Sequence, residues 1–281
     1  QEAVRIKDKE LSTLGTHLKY VETLRSTGSA TDYQVLSTQV KISTVESQKV
    51  DLTAALAVQQ SYLNCLAGYD DSFRPVVKEE VDIAAPAVEN DSLLSLAFSK
   101  RDEIIISKER ANLAGMKYDL IKTVNKPVIS FLASGGAKNG FIPDLNRLRP
   151  NFVIGAGFSV PIFDGSRTKY NLLQAKSAMK TIEYETETAK KNITSEVKEA
   201  QEYMKSAGQK IGQFELQLKQ AQKAYSLAET SFRTGVITNL ELLDASTAVS
   251  ESELMLLKAK IDFAASVYRL KASLGERIYQ H

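Results

Sequence analysis

The chain has few of the residues from which catalytic and metal sites are built. Its 281 residues include one cysteine, two histidines and no tryptophan. A single thiol excludes an internal disulfide framework and supplies too few ligands for a zinc ribbon. Two histidines cannot form a histidine-rich metal or catalytic cluster. We therefore expect no metal and no cofactor, and we interpret Cys65 as a buried structural thiol among helix-forming neighbours.

Charge and hydropathy count against further classes. The 36 basic and 34 acidic residues nearly cancel, so nothing indicates a surface for nucleic acid. No apolar run approaches the ~18 residues of a membrane-spanning helix. The sequence has no nucleophile elbow, phosphate loop or metal-ligand spacing, and we do not predict an enzyme. The chain starts at Gln1 without a methionine or a leader, so we expect a processed or trimmed product.

The main feature that is present is an internal repeat. When the sequence is displaced by 207 positions, Thr27-Gly28 falls on Thr234-Gly235. The same displacement, without a gap, brings Gly68 onto Gly275. Each copy contains a long helix, a reversal of small residues, a second long helix and a terminal glycine. We interpret this as duplication of a helical hairpin; chance similarity between two coiled-coil segments is the alternative.

Apolar residues in these helices follow a 3-4 spacing. In the first helix Val4, Leu11 and Leu18 occupy one heptad position, and Leu14 and Val21 occupy the other. The second copy repeats the frame with Ile211, Phe214, Leu218, Ala221, Tyr225, Ala228 and Phe232. Such a spacing keeps one apolar face toward a partner helix. The predicted fold class is therefore mainly α, with long antiparallel coiled-coil hairpins.

A strand pair is predicted between the helices. We predict helices over residues 1–24, 32–66, 92–124, 166–232 and 238–274, a connector with a short strand at Val76-Val77, and strands over 127–136 and 151–160. In the last strand Phe152, Ile154 and Phe158 share one face, and small residues share the other. This alternation suits a membrane-barrel strand with a lipid-facing side, and equally a soluble sheet with one buried face.

Short motifs mark the ends of the predicted elements: Val160-Pro161-Ile162-Phe163-Asp164-Gly165 before the longest helix, Lys126-Pro127 before a strand, and residues 232–235 and 240–245 around the second reversal. In this order and spacing, the motifs resemble those of the TolC-type outer-membrane efflux proteins. The resemblance implies a homotrimer when full length, in the outer membrane of a Gram-negative bacterium. Its strands would belong to an outer-membrane β-barrel, and its hairpins to a periplasmic α-barrel. The implied function is a passive conduit for export of small molecules or ions, working with a periplasmic adaptor (membrane fusion protein) and an inner-membrane pump.

The resemblance also implies a domain organisation. The segments are 1–68, the second part of repeat 1; 69–91, an equatorial connector; 92–126, a helix of repeat 2; 127–161, the strand pair with an exposed loop; 162–275, the long hairpin of repeat 2; and 276–281, the tail. Because the first copy lacks the strand pair and half-hairpin of the second, we expect an N-terminal truncation of roughly 150 residues.

Two sets of site residues follow from the resemblance. The periplasmic gate would comprise Glu241, Asp244 and Phe232, with the two acids ringing the aperture; an ordinary acidic pair at a helix start is the alternative. Ile237 stands where some members carry a latching arginine, so a charge-based latch would need Arg233 or Arg25 as a substitute. The residues expected to dock the adaptor are those of the two hairpin tips: Arg25, Thr27, Gly28, Ser29, Thr31, Arg233, Thr234, Gly235, Val236, Ile237 and Thr238.

A soluble periplasmic coiled-coil adaptor or scaffold is the competing class. Such adaptors have one hairpin flanked by small β domains, whereas this chain has two hairpins separated by a strand pair. The sequence therefore favours the channel.

Overall fold

The structure is a computed structural model that describes residues 1–70, 72–74, 90–139 and 148–276. The described residues form helices α1 (Glu2–Ser26), α2 (Asp32–Ala67), α3 (Asn90–Lys100), α4 (Asp102–Thr123), α5 (Arg167–Arg233) and α6 (Asn239–Ser273), and strands β1 (Val128–Lys138) and β2 (Arg149–Ser159). The predicted strand at Val76-Val77, most of the connector 69–91 and most of the tail 276–281 lie outside the described residues. Within the described ranges, no helix combines the length and apolarity needed to cross a membrane.

The chain divides into two compact units. The first contains residues 1–93 and 196–281, and the second contains residues 94–195. Helices α1, α2 and α6 therefore belong to the first unit, together with the C-terminal part of α5. The second unit contains α4, the strand pair and the N-terminal part of α5. The predicted fold class, long helical hairpins with one strand pair, is confirmed.

One predicted helix is interrupted. The helix expected over 92–124 ends at Lys100, and a new helix begins at Asp102. Between them Arg101 is extended, with φ −67° and ψ 125°. Its guanidinium binds the Glu103 carboxylate through two N–H groups, at 2.9 and 2.5 Å. Asp102 and Glu103 suit a helix N-terminus because of the helix dipole. No glycine or proline marks this break, which is why the sequence did not reveal it.

The core of the first unit joins the two repeats. One buried cluster contains Val21, Val35, Phe232 and Leu242, and a second contains Leu14, Val45 and Leu243. Each cluster combines α1 and α2 with residues from the second copy. Burial of this apolar surface provides ~25 cal/mol per Å2 removed from water. The hairpins therefore pack against each other along the heptad face that the sequence predicts.

The interpretation of Cys65 as a buried thiol is wrong, because the side chain is exposed. The neighbouring residue Asn64 is buried, and it lies roughly 100° around the helix from Cys65. Helix-forming neighbours identify a helical position but do not determine which face it occupies.

The strand pair has one apolar face. The strands are antiparallel, with Ile129 opposite Phe158 and Ala133 opposite Ile154. Phe152, Ile154 and Phe158 are 81, 83 and 70 % exposed. Phe152 also lies across from Gly135, and a Cβ added there would meet the Phe152 ring at 3.7 Å. Because residues two apart share a face of a strand, these large side chains form one continuous apolar surface.

Candidate functional site: the hairpin tips

The two chain reversals have the same hydrogen-bonding pattern. In the first, Gly28 has φ +76°, and Ser29 N–H donates to Leu24 C=O at 2.8 Å. In the second, Gly235 has φ +74°, and the corresponding N–H of Val236 donates to Ser231 C=O at 2.9 Å. A positive φ is the reason that glycine occupies these positions.

The reversals also begin their second helices alike. Thr31 caps α2 and Thr238 caps α6, each through a reciprocal pair of hydrogen bonds known as a capping box. The side chain returning to the cap is Gln34 in the first repeat and Glu241 in the second. Glu241 accepts from the Thr238 N–H at 2.7 Å and from its hydroxyl at 2.8 Å.

Glu241 is therefore an ordered carboxylate at the start of a helix. The backbone and side-chain hydrogen bonds from Thr238 hold the pKa of Glu241 below its usual value. Glu241 therefore has the helix-start position that the alternative interpretation assigned to it. The sequence signal for this position is a threonine followed three residues later by glutamate. Asp244 lies one turn further along the same helix and is exposed. No described residue donates a hydrogen bond to its carboxylate.

The other predicted gate residue, Phe232, is buried in the tip. It is 8 % exposed and packs with Val21, Val35 and Leu242, while Ile237 packs against the same cluster. The rings of His17 and Phe232 meet edge to face, with their centroids 5.2 Å apart. The structure thus separates the gate set into two exposed acids and one buried ring.

Most of the predicted docking residues are exposed at the reversals. The exposed ones are Arg25, Thr27, Gly28, Ser29, Thr31, Arg233, Thr234, Gly235, Val236 and Thr238, and Ile237 is partly buried. Val236 is the large apolar residue among them, and 76 % of it is exposed. Arg25 pairs with Asp32 across the first reversal at 2.5 Å.

Asn239 is a buried polar residue that the sequence analysis missed. This first residue of α6 is 3 % exposed. Its Nδ2 donates to the Gln34 C=O at 3.2 Å and lies 3.1 Å from each of the Ser37 and Thr38 hydroxyls. Its Oδ1 lies 2.6 Å from Nε2 of His17. Asn239 therefore connects α6 to both helices of the first repeat at the tip.

A second buried polar group lies further from the tip. The Lys7 ammonium is 2.7 Å from the Glu10 carboxylate, and both side chains are almost fully buried, at 6 and 2 % exposed. The Ser250 hydroxyl donates to Glu10 at 2.6 Å. Lys7 occupies the heptad position that Phe214 occupies in the second copy. A charged pair therefore links α1 to α6 where the other repeat has an apolar side chain.

The strand-to-helix motif has a structural explanation of its own. Asp164 accepts hydrogen bonds from the backbone N–H groups of Ser166 and Thr168, each at 3.0 Å. It also accepts one at 2.9 Å from Asn125, which follows α4. Hydrogen bonds from Thr168, Asn125 and Ser166 hold the pKa of Asp164 well below its usual value. Asp164 thus caps α5 and ties the helix before β1 to the helix after β2.

The structure superposes on VceC from Vibrio cholerae, an outer membrane protein, with a TM-score of 0.77 and 16 % identity. The superposition covers 99 % of this chain and 66 % of VceC. At this identity the likeness shows the fold alone.

Sequence comparison identifies relatives of the same kind. The chain is 23 % identical over 256 residues to the alkaline protease secretion protein AprF of Pseudomonas aeruginosa, covering 89 % of this chain and 53 % of AprF. It is 21 % identical over 253 residues to the outer membrane protein TolC of Vibrio cholerae, covering 83 and 57 % of the two chains. The chain thus spans about half the length of these relatives.

The model of the family described as outer membrane efflux protein matches residues 127–276. The match covers more than half of the chain, which therefore belongs to the outer membrane efflux protein family. It includes the strand pair, α5, the second reversal and α6. The expected family and the expected location in the outer membrane are confirmed.

Proposed function

We propose that this chain is part of an outer-membrane channel that passively conducts exported small molecules or ions. Membership of the outer membrane efflux protein family supports this role. The chain spans about half the length of its relatives, so it would form only part of each subunit. Three full-length subunits would form the channel. A passive conduit needs no catalytic group and no cofactor, so we propose that the protein is not an enzyme.

The arrangement of α6 at the tip supports a periplasmic gate most directly. Leu242 and Leu243 are each 3 % exposed, whereas Glu241 and Asp244 are exposed on the other side of the helix. The two carboxylates thus face away from the protomer core. In a trimer they would form a ring of six that attracts cations and repels anions.

We propose that the buried gate residue acts through packing. The Phe232 side chain lies beneath the first turn of α6 in the cluster that contains Leu242. Its ring would hold this turn in place, while the capping box with Thr238 fixes the direction of the Glu241 carboxylate. The two exposed acids would then line the aperture itself.

The exposed reversals suit a docking site for a periplasmic adaptor that works with an inner-membrane pump. Small residues at both tips leave the backbone accessible for close packing between helix tips, and Val236 offers one apolar contact. Both reversals have the same backbone hydrogen bonds, so an adaptor would find two similar tips in each protomer.

The domain organisation from the sequence is retained as part of the proposal. The strand pair of 127–161 would contact lipid through Phe152, Ile154 and Phe158, whose exposure in the single chain fits a surface that the bilayer covers. Segments 1–68 and 162–275 would supply the two hairpins, and 69–91 would be the connector between the repeats. A separate adaptor or scaffold role gains no specific support from the site.

Charge removal at the gate tests the function. In the full-length protein, Glu241→Gln with Asp244→Asn removes both charges while leaving an amide oxygen for the cap, as Gln34 does in the first repeat. We expect several-fold weaker block of single-channel conductance by a trivalent cation. Glu251→Gln with Asp262→Asn is the matched control on α6, where both acids are exposed. Unchanged block in the gate variant would remove these acids from the mechanism.

A further inference from the structure

The segment that leads from β2 into α5, here called the crossing segment (residues 160–169), carries two protruding apolar side chains. Ile162 and Phe163 are 96 and 88 % exposed, although both are large hydrophobic residues. They begin three residues after the end of β2, whose apolar side chains are also exposed. The apolar surface of the strand pair therefore continues along the chain into the crossing segment.

Basic side chains surround these two residues in the sequence. Residues 120–130 and 160–180, on either side of the strand pair, contain six lysines or arginines and one acid, Asp164. The Asp164 carboxylate already accepts three hydrogen bonds, from Asn125 and two backbone N–H groups. Lys126, Arg167 and Lys169 are exposed. They therefore give the ends of the helices next to the sheet a positive surface.

Exposed apolar side chains beside exposed basic ones match the boundary of a lipid bilayer. Aromatic residues flank the lipid-facing band of membrane barrels at both interfaces, where a phenylalanine ring can pack against the acyl chains. Lysine and arginine extend from this depth toward the lipid phosphates. Anionic headgroups attract them further, because each basic residue near such a surface adds to the attraction.

We propose that the crossing segment is a membrane-interface anchor selective for anionic phospholipids. Ile162 and Phe163 enter the bilayer next to the headgroups, and Lys126, Arg167 and Lys169 bind the lipid phosphates. The inference rests on the proposed lipid contact of the strand pair, and it adds a second contact with a stated headgroup chemistry. The occupant is anionic phospholipid rather than a second copy of the chain, because a like copy would bring further positive charge to the same surface.

Tryptophan fluorescence tests the depth of the anchor, since the sequence contains no tryptophan. Three variants of the full-length protein, Phe158→Trp on β2, Phe163→Trp in the crossing segment and Tyr184→Trp on α5, are reconstituted in vesicles. All three native rings are exposed. The vesicles contain phosphatidylcholine brominated near the headgroup, and the spectrum of the parent protein is subtracted. We expect quenching in the first two variants and none in the third.

The outcomes distinguish the anchor from the channel proposal. Quenching in the Phe158→Trp variant without quenching in the Phe163→Trp variant would overturn the anchor and leave the lipid-facing strand intact. Absence of quenching in both would overturn the lipid contact of the strand pair and, with it, the anchor. If the Phe163→Trp fluorophore were shielded from both brominated lipid and aqueous iodide, contact with a second copy would replace the anchor.

Charge reversal tests the headgroup assignment. Brominated phosphatidylglycerol and brominated phosphatidylcholine are compared at equal mole fraction in the Phe163→Trp variant, and we expect about twofold stronger quenching by the anionic lipid or more. Adding Lys126→Glu, Arg167→Glu and Lys169→Glu should abolish this preference. Adding Lys190→Glu, Lys198→Glu and Lys205→Glu, which change the same charge at exposed sites further along α5, should preserve it. Equal quenching by the two lipids before charge reversal would overturn the assignment.

Discussion

His17 Nε2 and Asn239 Oδ1 lie 2.6 Å apart and join α1 of the first repeat to the first residue of α6. The amide of Asn239 has a defined orientation, because its Nδ2 donates to the Gln34 C=O. Oδ1 is then the acceptor, and His17 must donate from Nε2. This contact at the tip, the Lys7–Glu10–Ser250 group further along the helices and the two buried clusters hold the two repeats together.

Removing the Asn239 amide should destabilise the first unit. Asn239→Ala leaves the largely buried partners on α1 and α2 without this hydrogen-bonding group, so we expect a loss of about 1–3 kcal/mol in the free energy of unfolding. Urea unfolding followed by circular dichroism measures it. Asn192→Ala, at an exposed position of α5, is the control and should cost well under this amount. Equal losses in the two variants would show that Asn239 is not a structural link.

The buried charge pair should be more sensitive to loss of one partner than of both. Lys7→Met leaves the Glu10 carboxylate buried without its cation, and we expect a cost of about 3–5 kcal/mol. In the double variant with Glu10→Gln, which matches Gln217 of the second copy, the cost should be smaller. A double-mutant cycle by chemical denaturation measures the coupling.

The exposed pair Lys191–Glu187 is the control for that cycle and should show a much smaller coupling energy, because solvent screens both charges. If Lys7 and Glu10 gave the same small coupling, the pair would be energetically equivalent to a surface pair. The charges of Lys7 and Glu10 would then not contribute to the stability of the contact between α1 and α6.

Two glycines of α5 should respond differently to alanine. A Cβ at Gly212 meets nothing within 4 Å, so Gly212→Ala should stabilise by about 1 kcal/mol through helix propensity. A Cβ at Gly208 would lie 3.4 Å from the Phe263 ring, so Gly208→Ala should gain less. Gly208→Leu should lower the melting temperature, because the larger side chain separates α5 from α6. Equal stabilisation by alanine at both sites, with no loss for leucine, would contradict this close approach.

Asp164 should make stability depend on pH in a defined direction. Its pKa is lowered in the folded chain by the donors of Thr168, Asn125 and Ser166. A lowered folded pKa gives a stabilisation that is complete above the unfolded pKa of about 4 and is lost as the pH falls through the folded value. The melting-temperature difference between the parent and Asp164→Asn should thus be constant from neutral pH to about 5 and shrink below about 4.

Asn192→Ala, at an exposed position of α5 that carries no titratable group, is the control. Its melting-temperature difference from the parent should not change with pH. A melting-temperature difference for Asp164→Asn that grew as the pH fell would reverse the sign and contradict the capping role.

The hairpins were predictable because their signals are local. A glycine with positive φ, a threonine cap and a 3-4 apolar spacing each act within a few residues, and Gly28 and Gly235 adopt the required conformation. The strands were predictable from alternation, although β1 extends to Lys138, two residues beyond the expected end. Both capping boxes also had a local signal, a threonine followed three residues later by glutamine or glutamate.

The missed features depend on contacts between distant segments. Asn239 bonds to a residue 222 positions away, and Lys7 bonds to one 243 positions away. Nothing near either residue distinguishes it from a solvated polar side chain. The break at Arg101 has a short-range cause, but arginine within a helical pattern is ordinary. Phe232 is buried because the two repeats pack against each other. The heptad pattern placed Phe232 on the apolar face of its helix, whereas the resemblance placed it in the gate.

The central claim is that the hairpin tips of neighbouring copies meet around a conducting aperture. The most direct test places a cysteine at Asp244 in the full-length protein, with Cys65 and any other native cysteines changed to serine. Oxidation should link two protomers within the trimer, lower single-channel conductance, and be reversed by a reductant. Asp262→Cys, five turns along the same face of α6, should give no such link. A trimer that conducts but forms no cross-link at Asp244, with conductance unchanged by oxidant, would contradict the claim.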